Sequence, residues 1–459
     1  MRAISPLYRR AAAFAAMTML AGAGAAAAPG SRPHLVVILS DDHSLLDSTV
    51  YGATDVRTPN MARLAAAGLT FDRAFVASPS CAPSRAALLT GLMPARNGAE
   101  INHSKPRAEL KKLPAFLQAL GYEVVAFGKV SHYQHTADYG FDHFAHDKFH
   151  EHAAIPAAVE WLRARRSSRP LCLLVGSNWP HVPWPEQGAG YDPAKLRLPA
   201  GHVDTAETRA MRAKYYAAVE RMDADLGTIY DAARSVLGED TFFLHSSDHG
   251  AQWPFAKWNC YEAGIRTPLI AVWPGRIAAG RRTDAMVSWI DFLPTLVEVA
   301  GGPAPAGIDG RSFAPVLRGE TSRHRDRIFT THSSDGKMNR YPIRSVRTAE
   351  WKYLRNLLPD VRFTTHIDLG KPVDGAGYFA SWVEAGRTSP AAAAAVARYH
   401  VRPAEELYDL RRDPHEQHNL AADPRHAAQL ASLRAEVDAW MAAQGDTGRL
   451  PVPAPVRAP

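Results

Sequence analysis

Residues 34–43, HLVVILSDDH, indicate the class of fold that this sequence encodes. A short, continuously apolar and β-branched run is typical of a strand that is covered on both faces, as in a parallel sheet. Similar runs recur along the chain and alternate with helical segments, so we predict a doubly wound, mostly parallel α/β sheet. The further strands are predicted at residues 71–76, 122–127, 170–175, 241–245 and 267–273.

Helical segments separate these strands until about Gly319, where the pattern changes. Two short strands at residues 343–347 and 351–356 are predicted to form an antiparallel hairpin. A final amphipathic helix is predicted to begin at Pro424, with Asp423 as its cap. The earlier helices are predicted at residues 58–67, 84–90, 113–120, 155–166, 207–237 and 291–300.

The first 28 residues have the composition of a secretory signal peptide. Three arginines precede an Ala-rich apolar stretch, which ends in small residues before Pro29. That stretch is shorter than the roughly 20 residues that a membrane span needs, so we expect an exported protein, periplasmic or secreted, with a membrane anchor as the alternative. Loss of the leader lowers the formal net charge from +7 to +4, because it removes Arg2, Arg9 and Arg10.

These patterns predict that the chain has four parts, and its composition argues against one class of partner. No basic block with interleaved aromatic residues occurs in the sequence, so nucleic acid is not an expected partner. The four parts are a signal peptide at residues 1–28, an α/β domain with the candidate functional residues at residues 29–319, a smaller C-terminal α+β subdomain at residues 320–449, and a disordered tail at residues 450–459.

Polar side chains follow several of the predicted strands. Asp41 and Asp42 come after the first strand, and Asp248 and His249 come after a later one. Ligands of open α/β sheets bind beyond the carboxyl ends of the strands, so we expect these residues to converge, although each alone is also compatible with a turn or a helix cap. Three carboxylates brought together need a cation; Ca²⁺ suits oxygen ligands, and the imidazole leaves transition metals open.

The three cysteines lie in different kinds of segment. Cys172 lies in an apolar strand and is predicted to be a core residue, with a Cys172–Cys260 disulfide as the alternative. Cys81 precedes the predicted helix at residues 84–90, at the positive end of its dipole, and Arg85 follows one turn later. These features suit an anion site with a nucleophile, whereas an ordinary thiol or a buried residue is the alternative.

Residues 81–91, CAPSRAALLTG, resemble the signature of the type I sulfatases. In that family a maturation enzyme oxidises the cysteine to formylglycine. The resemblance implies an alkaline-phosphatase-like fold and a hydrated aldehyde, one hydroxyl of which attacks sulfur while the other later releases sulfate from the covalent ester. Cys81 would then be a precursor of the acting group, and no thiol would take part in the chemistry.

The resemblance covers most of the chain and implies a role for each matching residue. Many family members have Asn where His249 stands, although some carry His. Arg85 would support the formylglycine hydrate, Lys129 and His132 would hold the sulfate and assist the nucleophile, His181 would face the leaving group, and Lys257 would contact the sulfate. The implied Ca²⁺ ligands are Asp41, Asp42, the residue derived from Cys81, Asp248 and His249.

The resemblance predicts a sulfated saccharide substrate, a glycosaminoglycan fragment. Residues 253–257 and 340–347 are similar to heparan N-sulfatases and favour N-sulfoglucosamine, whereas residues 81–83 and the Lys129/His132 spacing are more similar to iduronate-2-sulfatases. Removal of uronate-2-O-sulfate or glucosamine-6-O-sulfate is therefore an alternative. A phosphonate or phosphate ester hydrolase of the same fold is another, and an inactive carbohydrate-binding protein is a third.

Overall fold

The strand predicted from residues 34–43 lies in the middle of a large sheet in the computed structural model, which describes residues 32–148 and 151–450. This strand, β1 (His34–Ser40), pairs in parallel with a strand on each side. Its side chains alternate between two apolar layers. Both faces of the strand are therefore buried, as its unbroken apolar sequence predicted.

Within the part of the chain that the structure describes, the large sheet has eight strands in the order β10-β2-β9-β7-β1-β6-β4-β5. Among these eight described strands only β9 runs antiparallel to its neighbours, so the prediction of a mostly parallel sheet is confirmed. The strands of the first part are β2 (Leu69–Phe71), β3 (Ala74–Phe75), β4 (Glu123–Gly128), β5 (His143–Ala145), β6 (Leu171–Gly176), β7 (Thr241–Ser247), β8 (Arg266–Thr267), β9 (Leu269–Val272), β10 (Arg281–Thr283) and β11 (Val287–Ser288).

Helices cover both faces of this sheet, which makes it doubly wound. The layer beneath Val36 and Ile38 contains α5 and α6, and the layer beneath Leu35, Val37 and Leu39 contains α2, α4 and α8. The helices of this part are α1 (Pro59–Ala67), α2 (Cys81–Thr90), α3 (Pro94–Asn97), α4 (Leu113–Gln118), α5 (Ala154–Ala164), α6 (Ala206–Leu237), α7 (Glu262–Ile265), α8 (Phe292–Val299) and α9 (Ala314–Leu317).

A separate antiparallel sheet of four strands follows, in the order β12-β13-β14-β15. The predicted hairpin is its centre, formed by β13 and β14, and α13 packs its apolar stripe against it. The elements of this part are β12 (Ile328–His332), β13 (Ile343–Arg347), β14 (Trp351–Asn356), β15 (Glu405–Asp409), α10 (His366–Leu369), α11 (Phe379–Ala385), α12 (Pro390–His400) and α13 (Ala427–Gln444).

Two single strands predicted from the sequence are each divided in two. The strand predicted at residues 71–76 changes partner, because β2 pairs with β10 of the large sheet whereas β3 pairs with β11 of a small three-stranded sheet. The strand predicted at residues 267–273 is interrupted at Pro268, which has no N–H for a ladder hydrogen bond. Apolar character alone therefore did not reveal the change of partner.

The structure also tests three further expectations about local structure. Cys81 does not precede its helix but is the first residue of α2, three residues before the predicted start. The final helix begins with a 3₁₀ turn, Pro424–His426, and Asp423 accepts a hydrogen bond from the Arg425 N–H as the predicted cap. All three cysteines are buried and free, so the alternative of a Cys172–Cys260 disulfide is wrong.

Some sequence predictions fall outside the described residues. These are the signal peptide at residues 1–28 and nearly all of the tail at residues 450–459. Within the described ranges, no helix has the length and apolar character needed to cross a membrane.

Candidate active site

The predicted polar residues meet at the carboxyl edge of the large sheet. Asp41 and Asp42 follow β1, Asp248 and His249 follow β7, and Lys129 follows β4. Since β1 is parallel to β7 and, through β6, to β4, all these strands end on the same side. This convergence was expected, because the residues directly follow strands that the sequence predicts to belong to one mostly parallel sheet.

The turn after β4 is made by a glycine that the fold requires. Gly128 has a φ of 71°, and a Cβ at this position would lie 2.2 Å from the carbonyl oxygen of Gly176 on β6. A larger residue would therefore clash with the neighbouring strand and strain the backbone. The turn places Lys129, which is buried, at the edge of the sheet beside Asp41.

Helix α2 delivers Cys81 to the same place. All ten of its residues are buried, and Cys81 stands at the helix N-terminus, where the helix dipole favours negative charge. The Ser80 side chain does not cap the helix; instead the Ala82 N–H donates to Asn102 Oδ1 at 3.0 Å. Asn102 thus holds the residue that follows the candidate nucleophile.

Five side chains form one compact group around Cys81. Each offers one ligand atom, and these atoms lie within 4.8 Å of one another. All five are buried, so a bound ion would be screened from water. The group consists of Asp41, Asp42, Cys81, Asp248 and His249, the five residues that the resemblance implied.

The donor set fits a hard divalent cation. Asp42 Oδ1 is buried and accepts no hydrogen bond from the described residues, and the His249 Nδ1 atom is 3.4 Å away. Burial raises the pKa of Asp42, and Asp41 and Asp248 add to the rise despite the opposite effect of Lys257. A carboxylate of this kind is stabilised by a nearby cation, and three carboxylates are an oxygen-rich set that suits Ca²⁺.

Three permanently charged cations surround the thiol. Lys129 Nζ lies 3.6 Å from Cys81 Sγ and also contacts Asp41. Arg85 bridges Asp41 and Asp248 at 3.2 and 3.0 Å, and Lys257 Nζ lies 2.8 Å from Asp42. Burial would raise the pKa of Asp41, but Lys129 and then His181 and Arg85 hold it well below its ordinary value.

The three histidines predicted for the site, His132, His181 and His249, differ in their pKa because their neighbours differ. Burial and then Lys129 lower the pKa of His132 to about 2, and burial followed by Lys257 and Lys129 lowers that of His181 well below its ordinary value. Burial opposes protonation of His249, but Asp248 and Cys81 outweigh it and raise its pKa to about 9. Metal binding would displace that proton.

With a divalent cation bound, the site would carry a net positive charge, which favours an anionic substrate. The three aspartates are matched by Arg85, Lys129 and Lys257, so a divalent cation would leave an excess of two positive charges. His181 lies at the edge of this group, with Nε2 3.9 Å from Asp42 Oδ2. His132 contacts the rings of His103, Tyr133 and His135.

Comparison with known proteins agrees with this geometry. The family model described as Sulfatase matches residues 33–302, and a second, described as N-sulphoglucosamine sulphohydrolase, C-terminal, matches residues 249–371. The chain belongs to the sulfatase family. It is an enzyme that hydrolyses sulfate esters or sulfamates, and the predicted family resemblance is confirmed.

Two curated sulfatase relatives span nearly the whole chain. An "Ulvan-active sulfatase" of Formosa agariphila (strain DSM 15362 / KCTC 12365 / LMG 23005 / KMM 3901 / M-2Alg 35-1) is 30% identical over 424 residues, which cover 90% of this chain and 81% of that protein. The "N-sulphoglucosamine sulphohydrolase" of Homo sapiens is 28% identical over 466 residues and covers 89% of this chain and 90% of that protein.

Solved structures confirm the alkaline-phosphatase-like fold of this sulfatase. A protein in complex with its substrate D-glucosamine-2-N,6-O-disulfate superposes with a TM-score of 0.67 at 19% identity, covering 91% of this chain and 99% of that one. The phosphonate monoester hydrolase of Agrobacterium radiobacter gives 0.69 at 19% identity, covering 90% and 96%. At this identity the likeness concerns the fold alone.

Sequence reasoning missed a second group of residues beside the sulfatase site. Asp335 is buried and accepts hydrogen bonds from Asn102 Nδ2 at 3.0 Å and from Trp258 Nε1 at 2.7 Å. His103 Nε2 lies 3.1 Å from its other oxygen. None of these residues follows a predicted strand or belongs to the cysteine motif, so no pattern in the sequence indicated them.

Proposed function

We propose that this sulfatase removes sulfate from a saccharide of the glycosaminoglycan type, with formylglycine made from Cys81 and a bound Ca²⁺ ion, and that N-sulfoglucosamine is its preferred group. The observation that carries the proposal is the buried group of five ligand atoms with Arg85, Lys129 and Lys257 against it. Ca²⁺ would be held by Asp41, Asp42, Asp248, His249 and the residue at position 81, and when bound it would supply positive charge for the sulfuryl oxygens.

The residues of the chain would divide the remaining work among themselves. Position 81, once oxidised and hydrated, would provide the attacking hydroxyl at the site that Sγ now occupies, 3.6 Å from Lys129 Nζ and 3.3 Å from His249 Nε2. Its oxygen would form a bond to sulfur while the bond from sulfur to the sugar oxygen or nitrogen breaks, and the sugar would leave with a proton. The second hydroxyl would then expel sulfate and restore the aldehyde, which water hydrates again. Lys129 and Lys257 would bind the sulfuryl oxygens. A neutral His181 carries a single ring proton. Its Nδ1 lies 2.5 Å from the Val182 carbonyl oxygen and donates that proton there, so Nε2 faces the site as a hydrogen-bond acceptor.

The choice of substrate rests on the relatives and on the C-terminal part of the chain. The human relative is named for N-sulfoglucosamine, and the second family model carries the same name. An ulvan-type sulfated polysaccharide is a second candidate because the relative from Formosa agariphila shares 30% identity with this chain. Uronate-2-O- and glucosamine-6-O-sulfates are the remaining alternatives within the same chemistry.

Two further parts of the proposal concern the location and the maturation of the protein. The N-terminal composition supports export to the periplasm or outside the cell. The motif at residues 81–91 supports a formylglycine-generating maturation enzyme as a partner.

A panel of sulfate and phosphate substrates tests the reaction. Purified enzyme is given 4-nitrophenyl sulfate, 4-nitrophenyl phosphate and the N-, 2-O- and 6-O-sulfated saccharides, and release of sulfate or phosphate is measured. We expect sulfate to be preferred and the N-sulfated sugar to react fastest. A preference for the phosphate ester would indicate a phosphoryl hydrolase, and no turnover with formylglycine in place would indicate a binding protein.

Chelation tests the metal. Treatment with a calcium chelator should abolish turnover and lower the melting temperature, because a cation that binds only the folded state stabilises it. Both properties should return with Ca²⁺, and Mg²⁺ should restore them less well because it demands a smaller octahedral site. Full activity after complete chelation would contradict the proposed metal.

A further inference from the structure

One carboxylate beside the reaction centre holds three separate segments together. The Asp335 carboxylate accepts hydrogen bonds from Asn102 Nδ2 and Trp258 Nε1, and His103 Nε2 lies 3.1 Å from its other oxygen. His366 Nδ1 lies 3.9 Å from the same carboxylate and makes no hydrogen bond among the described residues. We define the Asp335 cluster as Asp335, Asn102, His103, Trp258 and His366.

The cluster touches the catalytic groups at three points. Asn102 accepts from the Ala82 N–H, next to Cys81, at 3.0 Å. The His103 ring packs edge-on against the His132 ring, with centroids 4.6 Å apart. Trp258 directly follows Lys257, whose Nζ lies 5.0 Å from the indole centroid. The cluster is therefore a wall of the site, and it lies outside the five-residue metal group.

Exposure divides the cluster into a fixed base and an accessible surface. The Asp335 side chain is 4% exposed, whereas those of His103 and His366 are 58% and 26% exposed. The His366 ring stacks on the Trp258 indole, with centroids 5.0 Å apart and planes 14° from parallel. A His103 ring that donates from Nε2 to Asp335 keeps Nδ1 as an acceptor. Two imidazoles are thus held in place at an accessible surface.

The backbone supports a functional interpretation of this wall. His103 and Trp258 have φ values of 67° and 64°, in the left-handed region that a bulky residue such as tryptophan rarely adopts. Both residues contact Asp335, so its hydrogen bonds stabilise the conformation. Strained residues of this kind concentrate at ligand sites, where the rest of the fold compensates for them.

We propose that His103 and His366 bind hydroxyl groups of the sugar that carries the sulfate, and that Asp335 is the positioning residue that holds them. This inference rests on the proposed function, because it requires a saccharide leaving group. Imidazole nitrogens match sugar hydroxyls, which both donate and accept hydrogen bonds. A substrate without hydroxyls would gain nothing from the wall, which provides the test.

The test compares two sulfates in the same set of variants. His103→Ala, His366→Ala and Asp335→Asn are assayed with 4-nitrophenyl sulfate, which has no hydroxyl group, and with the saccharide sulfate that wild-type enzyme hydrolyses fastest. His103→Ala should lower kcat/KM for the saccharide about tenfold or more, mainly through KM, and should change that for 4-nitrophenyl sulfate less than threefold. His103→Gln, which keeps a donor for Asp335, should recover part of the loss.

Controls and contrary results are equally specific. Lys105→Ala removes an exposed charge two residues away, paired with Asp138, and should leave both substrates unaffected. An equal loss on both sulfates in His103→Ala, or no loss on either, would overturn the inference. The wild-type enzyme tests the proposed function separately. If it hydrolyses no saccharide sulfate, the proposed function and this inference both fail. If it hydrolyses a saccharide sulfate but His103→Ala affects both substrates equally, this inference alone fails.

Discussion

At the scale of single residues, the site depends on matched charge. Buried carboxylates and buried cations face one another around Cys81, and each would be costly to bury alone. The sequence revealed Asp41, Asp42 and Asp248 because they end strands that share an edge. It could not reveal Asp335 or Asn102, because the hydrogen bond between them joins loops more than 200 residues apart along the chain. Such contacts depend on tertiary packing, which local patterns do not contain.

Removal of Lys257 should impair catalysis more than folding. Lys257→Ala is expected to lower kcat/KM by about 100-fold or more, because a cationic donor to the sulfuryl oxygens is lost. Steady-state kinetics with 4-nitrophenyl sulfate measure the change. Lys257→Arg keeps the charge and should retain much more activity than Lys257→Ala. Equal activity of Lys257→Ala and wild type would exclude Lys257 from the sulfate site.

At the scale of elements, helix ends are completed by side chains from distant parts of the chain. Thr58 does not cap α1 with its side chain; instead Asp223 of α6 accepts the Asn60 and Met61 N–H groups at 2.9 and 2.8 Å. Asn102 does the same for α2. Helix positions were predictable from periodicity and from Pro59, but these caps were not, because the capping residue lies on another element.

The α1 cap should be measurable as stability. Asp223→Ala leaves the Asn60 and Met61 N–H groups, of which the second is fully buried, without an acceptor and should destabilise the protein by about 2 kcal/mol or more. Chemical denaturation followed by circular dichroism measures this. Asp231→Ala is the matched control on the same helix, because its ion pair with Arg63 is largely exposed and should contribute under about 1 kcal/mol. Similar losses in the two variants would contradict the capping role.

At the scale of the whole molecule, a buried ion pair joins the short α7 helix, which begins five residues after Lys257, to the C-terminal sheet. Glu262 lies 3.2 Å from Arg347 of β13 and 3.3 Å from Lys352 of β14. The doubly wound sheet and the hairpin were predictable from apolar runs. Helices α11 and α12 were not predicted, because α11 has only seven residues and α12 is mostly alanine, so neither gives a clear periodic pattern in the sequence.

This ion pair should make stability depend on acid. Burial would raise the pKa of Glu262, but Arg347 and Lys352 lower it to about 2, below its ordinary 4.5. Its contribution is therefore complete above pH 4.5 and is lost as the pH falls toward 2. Glu262→Gln should lower the melting temperature at pH 7, through a loss of about 3 kcal/mol, and the difference from wild type should shrink below pH 4.5. Glu320→Gln, an exposed control, should show neither effect; a Glu262→Gln difference that is independent of pH would contradict the assignment.

The most direct test of the central claim is mass spectrometry of the tryptic peptide of residues 74–85, combined with an assay of the same sample. Protein produced with a formylglycine-generating enzyme should lack the Cys81 sulfur, carry an aldehyde or its hydrate, and hydrolyse 4-nitrophenyl sulfate in proportion to the modified fraction. Cys81→Ala should be inactive with a melting temperature within a few degrees of wild type. An unmodified thiol at position 81 in fully active enzyme would contradict the account.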